Sequence, residues 1–405
     1  MSETRLYLFD DSRARRWAPF SLTRPVGELL FGCMTLRSRA ERVLGIACAG
    51  HVSRRALLGF DEEGAAPALA LDRVARDGPV VLLSSRAVAD AQPVELPTVP
   101  ARITVGGAPA GWFLPAGSDL PSELWIRDPG HDRTGGAELA LEGVMLDRPW
   151  DLVAQNPGRV RADVAAMSID SVVPTDVVVI GDGKVSIAED AELERGVTLD
   201  TRRGPVCLDR GVRVEGPARL TGPLYLGRGT IVVGGSISTS SVGPACRVRG
   251  EISESVLAGY VNKAHEGYLG HALVGRWVNL GALTTNSDLK NNYGNVTVWT
   301  PDGDVDTGQI KVGCFLGDHV KTAIGTLLNT GTVVGAGSNV FGSSMPPVAV
   351  PPFSWGSGSS LTEHRLDKFL ETAERVMARR DIELTPGVRR VLEVAWAATA
   401  GRRSE

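Results

Sequence analysis

His265 is the residue of this chain best suited to moving a proton: an imidazole with an ordinary pKa near 6.5 is largely neutral at pH 7 and can accept a proton from an amine about to attack a carbonyl. Lys263 stands two residues before it and Tyr268 three after it, so a base, a cation and a phenol fall close together. Asn279, Asn286 and Lys290 follow, and asparagine can hold sugar hydroxyls without adding charge. A second concentration lies near the start, where Asp10 and Asp11 precede Arg15, Arg24 and Arg37. Carboxylates of this kind hold Mg²⁺, and arginines grip phosphate oxygens in pairs, which is what a nucleotide needs. Taken alone these five read first as surface charges and helix caps, and no glycine-rich phosphate loop accompanies them.

The elements that must position these groups are of two kinds. Stepping by six gives Ile187, Leu193, Leu199, then after a slip of three Leu208, Val214, Leu220, Leu226 and Val232. Later it gives Ile310, Leu316, Thr322, Leu328, Val334 and Val340, so every position but Thr322 is aliphatic. A hexapeptide period means short strands and turns that wind into a three-sided coil and stack their aliphatic residues into one core, a parallel β-helix. The rhythm reaches Tyr268, Val274 and Leu280 and then fails from Leu283 to Gln309, where a polar loop is expected to leave the coil and carry a binding face.

Before residue 150 the pattern differs. Arg5 to Phe9 and Pro79 to Leu83 predict strands, and Thr35 to Ile46 a helix, together an α/β layer whose ligands collect at strand carboxyl ends. Asp147 to Asp163 reads as a connecting helix broken at Pro157, with Trp150 a structural wedge between two lobes. After the proline-rich MPPVAVPPF, Leu366 to Met377 and a second helix from Pro386 show apolar faces expected to cap or clasp a coil. The expected division is an α/β domain over 1–150, a linker helix over 151–170, the β-helix over 171–350 and a helical segment over 351–405.

Composition limits the partners. A chain of 405 residues predicts two or three domains, and a net charge of −4 gives no basic field for nucleic acid or an anionic membrane, leaving small molecules. Five scattered cysteines without CxxC spacing argue against a disulfide framework or a structural zinc, and a reducing cytoplasm is expected. There is no apolar run of the length a signal peptide or membrane span needs.

Two stretches carry a family resemblance. LTRPVGEL with the later PWDLVAQN resembles short sugar nucleotidyltransferases fused to a left-handed β-helix. KAHEGYLGHALVGRWVNLGA resembles the acetyltransferase half of the bifunctional enzyme that makes UDP-N-acetylglucosamine. The resemblance implies a left-handed coil, a homotrimer with sites between neighbouring coils, acetyl-CoA as co-substrate, glucosamine 1-phosphate as acceptor, UTP or dTTP as nucleotide donor, and Mg²⁺ for nucleotidyl transfer. It makes His265 the general base, and Tyr268, Asn279, Asn286, Lys290 and Lys263 substrate contacts. Ala282, Asp318 and Ala336 become contacts to acyl-CoA, while Asp11, Arg15, Arg24 and Arg37 take the nucleotide and Asp10 and Asp11 the metal. The family lysine is replaced by Ser253 in EISES, which shifts its phosphate contact to Lys263 or Arg249, and the family GAG turn is GAL at Leu283. The other readings are a nucleotidyltransferase whose coil serves only assembly, and a non-catalytic sugar-nucleotide-binding scaffold. A zinc site from His265, His271 and His319, as in β-helical carbonic anhydrases, is disfavoured because His265 and His271 are one hexad apart and fall on adjacent faces.

Overall fold

The computed structural model describes residues 3–92, 94–132, 136–167 and 173–403. The join between the expected linker and β-helix, residues 168–172, lies outside them.

Arg5–Phe9 is the strand on which the first lobe is built. Successive apolar residues suit a strand covered on both faces. Leu6 and Leu8 pack with Val81 and Leu83 on one side, and Tyr7 and Phe9 with Val52, Leu82 and Trp112 on the other. It runs parallel to Cys48–Val52 and Val80–Ser84 inside a seven-stranded sheet, whose far side is made by antiparallel Ala108–Leu114 and then Ala101–Val105 and Ala137–Leu141. The expected helix is Leu36–Leu44; the Thr35 hydroxyl accepts from the Ser38 amide at its start, and Gly45 at φ 67° ends it.

From Val178 the chain winds as a left-handed parallel β-helix whose longest face is a sheet of ten strands, the last of them antiparallel. One inward column runs Leu199, Leu220, Ile237, Ile252, Leu269, and a second runs Ile187, Leu208, Leu226, Val242, Leu257, Val274, Leu316, Val334, Val350. The hexad residues are core with two exceptions. Ile310 is exposed, because it lies in the loop that leaves the coil. Tyr268 gives its inward place to Leu269, because the step from Leu269 to Val274 is one residue short of a hexad and the phase slips.

The loop contains a small antiparallel hairpin, Thr297–Thr300 with Gly303–Asp306. Trp150 is buried and meets Phe315 of the coil edge-on at 6.4 Å, a wedge between the lobes. The connecting segment is broken just before Pro157: Asp151–Ala154 ends at Gln155, and Asn156–Ala165 begins next to it with proline in its first turn, where the missing N–H costs nothing. Leu366–Ala378 and Pro386–Ala398 pack Phe369, Ala373, Val391 and Leu392 against Phe353 and Trp277 of the coil and Leu57, Phe60 and Ala68 of the first lobe, so they clasp both.

The lobes are also tied by charge. Arg24 Nε donates to Asp318 at 2.8 Å and its Nη1 to Glu62 at 2.7 Å, with all three buried. Thr23 donates to the same Asp318 carboxylate at 2.7 Å. Glu62 in turn accepts from Trp277 Nε1 at 3.3 Å and pairs with Arg276 at 3.4 Å. Removing one member of a buried pair strands the other's charge and costs about 3–5 kcal/mol. Arg24→Met is expected to lower the free energy of unfolding by about that amount in guanidinium titration; a loss below about 1 kcal/mol would mean that the cluster does not hold the lobes.

Candidate functional site

The corner bearing His265 joins the short strands Asn262–Lys263 and Tyr268–Gly270. Lys263 does not reach outward as its place in the motif suggests. It pairs with Val248 in the third column of the coil, an inward slot that Val214, Val232 and Leu280 fill elsewhere, and it is only 2% exposed. Its Nζ donates to the carbonyls of Arg249, 2.9 Å away, and His265, 2.7 Å away. Burial pulls the ammonium down to about 8. Lys263 therefore pins the backbone of the His265 corner from inside, while the imidazole stands exposed and makes no hydrogen bond among the described residues.

Tyr268 turns the other way. It lies along its own strand over Gly270, where a Cβ would come within 2.1 Å of the hydroxyl, and donates to Asp288 Oδ2 at 2.7 Å. The same oxygen receives His271 Nδ1 at 2.7 Å, and His271 Nε2 meets Glu254 at 3.1 Å. Burial opposes charge on His271, but its hydrogen bonds to the two carboxylates outweigh it and raise the pKa to about 9. His271 keeps Asp288 and Glu254 below the ordinary carboxylate range. Burial and Asp288 push the Tyr268 phenol up. A tyrosine, an aspartate, an imidazolium and a glutamate thus form a continuous chain at the foot of the loop. Spacing alone missed it, because Asp288 looked like one of several polar loop residues and His271 entered only as a zinc alternative.

The remaining expected contacts divide. The Asn279 side-chain oxygen accepts from Asn262 at 2.9 Å on the half-buried face between coils. Asn286 is buried, and its amide grips the N–H and C=O of Gly270, each at 2.9 Å, in place of a strand neighbour. Lys290 donates to the Asn295 carbonyl within the loop, and Arg249 pairs with Glu266 at 2.8 Å. The Ser253 hydroxyl meets that of Ser238 at 3.3 Å. Ala282 is half-buried on the outside of its corner, whereas Asp318 and Ala336 are enclosed beneath the first lobe and the C-terminal helices and present no open face to an acyl-CoA. His319 is buried between Trp277 and Phe369, and burial holds it well below its ordinary pKa.

In the first lobe, Asp11 is buried and accepts from Arg86 Nη2 at 2.7 Å, Ser84 at 3.1 Å and the Ala14 amide at 2.9 Å. Asp10, whose pKa burial raises, accepts from Ser85, Ser53 and the Val26 amide. Both carboxylates are saturated by internal donors, one of them a guanidinium, so this arrangement does not fit Mg²⁺. No group of three or more metal-ligating side chains occurs among the described residues. Arg37 is held by Glu28 and Glu41, and Arg24 belongs to the inter-lobe cluster. Of the expected nucleotide arginines, Arg15 is the one that lines a cavity.

Residues 6–171 match the sugar nucleotidyl transferase family. A curated relative from Sulfurisphaera tokodaii, described as a bifunctional sugar-1-phosphate nucleotidylyltransferase/acetyltransferase, is 30% identical over 205 residues, which are 50% of this chain and 46% of that protein. Over these parts the chain is similar to sugar nucleotidyl transferases and to that bifunctional relative. It spans about half the length of that curated relative. A Bacillus cereus crystal structure described as a candidate acetyltransferase covers 55% of this chain and 97% of its own at 12% identity, with a TM-score of 0.24, a likeness too slight to carry weight. No described helix is long and apolar enough to cross a membrane.

Two outcomes test this geometry. A pKa raised on folding stabilises the protein fully below the unfolded value near 6.5, and that contribution fades as pH rises through about 9. Relative to His271→Gln, the wild type is therefore expected to lose about 2 kcal/mol of its advantage in unfolding free energy across that window, after discounting for the partly open Glu254. A flat difference would remove the carboxylate clamp. Leu283 is 57% exposed and sits at φ 63°, a left-handed turn that suits glycine. Leu283→Gly is expected to raise stability by roughly 0.5–1 kcal/mol, the relieved strain exceeding the added chain entropy; a lower melting temperature would contradict it.

Proposed function

We propose that the chain is a two-reaction enzyme of UDP-N-acetylglucosamine synthesis. Its coil transfers an acetyl group from acetyl-CoA to glucosamine 1-phosphate, and its first lobe transfers a uridylyl group from UTP to the product. The observation that carries the coil reaction is the His265 corner, a free imidazole on backbone pinned by Lys263. Family match and relative support the general kind of chemistry for the lobe.

In the coil reaction the sugar ammonium first gives one proton to water, the freed amine attacks the thioester carbonyl, and a C–N bond forms while His265 takes a second proton from that nitrogen. The tetrahedral intermediate then collapses, the C–S bond breaks, and the departing thiolate recovers the proton from His265. Asn279 is assigned to the sugar, and a backbone N–H near Ala282 to the developing oxyanion. Tyr268 is held by Asp288 and His271, so it offers the acceptor a fixed phenol edge. In the lobe reaction a sugar phosphate oxygen attacks the α-phosphorus of UTP and pyrophosphate leaves; Arg15 supplies positive charge, and no step is assigned to a metal at Asp10 and Asp11. A homotrimer, with each groove closed by a neighbouring coil, belongs to the same proposal, as does a reducing cytoplasm for the five free thiols.

The second reading, a nucleotidyltransferase whose coil serves assembly, draws on one observation: among the described residues no side chain hydrogen-bonds the His265 ring. Thiol release from acetyl-CoA with glucosamine 1-phosphate separates the two. His265→Ala is expected to cut kcat/KM for thiol release by about 10²–10⁴-fold while pyrophosphate release from UTP and N-acetylglucosamine 1-phosphate is unchanged. Full acetyl transfer by the variant, or none by the wild type, would leave the coil without its reaction.

A further inference from the structure

A cavity of about 610 Å³ opens where three distant parts of the chain meet: the segment after the first strand, the loop hairpin, and the end of the last helix. Arg15, Arg16, Arg54 and Arg402 line it, and no carboxylate does. Arg16 is already paired with Asp302 of the hairpin. The other three have donors to spare. Arg15 uses its Nε on the Asp10 carbonyl, and Arg54 uses one Nη on the Ser21 carbonyl. Arg54 Nε is buried with no hydrogen-bond partner, and burial outweighs the attraction of Asp10 and lowers its pKa. Trp299 forms part of the wall, with the Arg402 guanidinium 5.9 Å from its ring centroid, and Val350 and Pro352 make an apolar floor.

Arginines facing one another cost free energy unless an anion sits between them, and guanidinium groups match phosphoryl oxygens in pairs. An indole beside them suits a flat ring, and an apolar floor suits the face of a sugar or base. We infer that this cavity binds a nucleoside diphosphate group, with Arg15, Arg54 and Arg402 on the phosphates and Trp299 against the base. Such a group occurs in both nucleotide sugars and coenzyme A. The site deepens the reading of the first lobe, on which it rests for the nucleotide, and adds Arg54, just beyond the carboxyl end of the strand Cys48–Val52, together with Trp299 and Arg402 from outside that lobe.

Calorimetric titration of the full chain with UDP, ADP and inorganic pyrophosphate tests it. Wild type is expected to bind all three, more weakly as salt rises. Arg54→Ala and Arg402→Ala are each expected to weaken binding by about tenfold or more, the loss of one charged hydrogen-bonding partner. Trp299→Ala should weaken UDP and ADP but leave pyrophosphate unchanged. Stronger binding of UDP than ADP assigns the site to the nucleotide sugar, and the reverse to coenzyme A; both orders support the inference. Arg402 lies on the surface at the chain end, so an unchanged melting temperature in that variant excludes misfolding as the cause. Wild type that ignores all three ligands at millimolar concentration, or Arg402→Ala that binds them like wild type, would overturn it. Nucleotide binding without pyrophosphate release from UTP would leave the pocket standing and remove the proposed lobe reaction; turnover with unaltered binding in the variants would do the opposite.

Discussion

The placement of the two lobes on one another depends on the charge cluster between them. Two cations, Arg24 and Arg276, and two anions, Glu62 and Asp318, are withdrawn from water together. Burial works against charge on Arg24, yet Asp318 and Glu62 hold it above its ordinary range. Burial of this kind is tolerable only when each lone pair and each N–H has a partner. The cluster comes close to that condition by borrowing from both lobes, the Thr23 hydroxyl from one and the Arg276 amide and Trp277 indole from the other, and leaves Arg276 Nε with an ion-pair contact to Glu62 but no hydrogen bond. Separation of the lobes would expose unsatisfied charge on both sides, so their relative placement is set more sharply than apolar contact alone would set it. The hairpin and the last helix are then brought to the segment after the first strand, which creates the arginine-lined cavity.

The regular parts of this architecture were legible because they repeat. Aliphatic residues on a six-residue step can be seen without knowing their partners, and Leu208, Leu226 and Leu316 lie where that step puts them. The helix from Leu36 and the strand from Arg5 were equally visible, since cap, end and period are local. What could not be read were departures of one residue. Where the step to Val274 falls one short of a hexad, Leu269 replaces Tyr268 inside and the tyrosine is free to serve Asp288. The inward turn of Lys263 has the same character: the type says solvent, the register says core, and the backbone carbonyls of the corner settle the conflict by accepting its protons.

The charge partners were illegible for a different reason. Arg24 and Asp318 are 294 residues apart in the chain and meet only because two separate folds dock. Each had been placed by resemblance in a binding site, one for a nucleotide and one for acyl-CoA, and each is spent on holding the molecule together. Asp11 follows the same pattern with Arg86. A carboxylate or guanidinium beside a motif is available to a ligand only if the fold leaves it unpaired, and pairing is a tertiary property. That is why Arg54, outside every motif, became visible only through its unsatisfied buried Nε.

The two histidines of the coil corner show how environment divides labour. His271 is enclosed by Asp288 and Glu254 and stays protonated through neutral pH, so it is a poor base but a good organiser of Tyr268. His265 stands open to solvent and makes no hydrogen bond among the described residues, so it is the one of the pair that a substrate amine can reach. A base must bind its proton loosely enough to return it to a leaving group, whereas a positioning cation must never release it. Placing the two one hexad apart, on opposite ends of a rigid strand, lets a single coil supply both without either setting the other's charge.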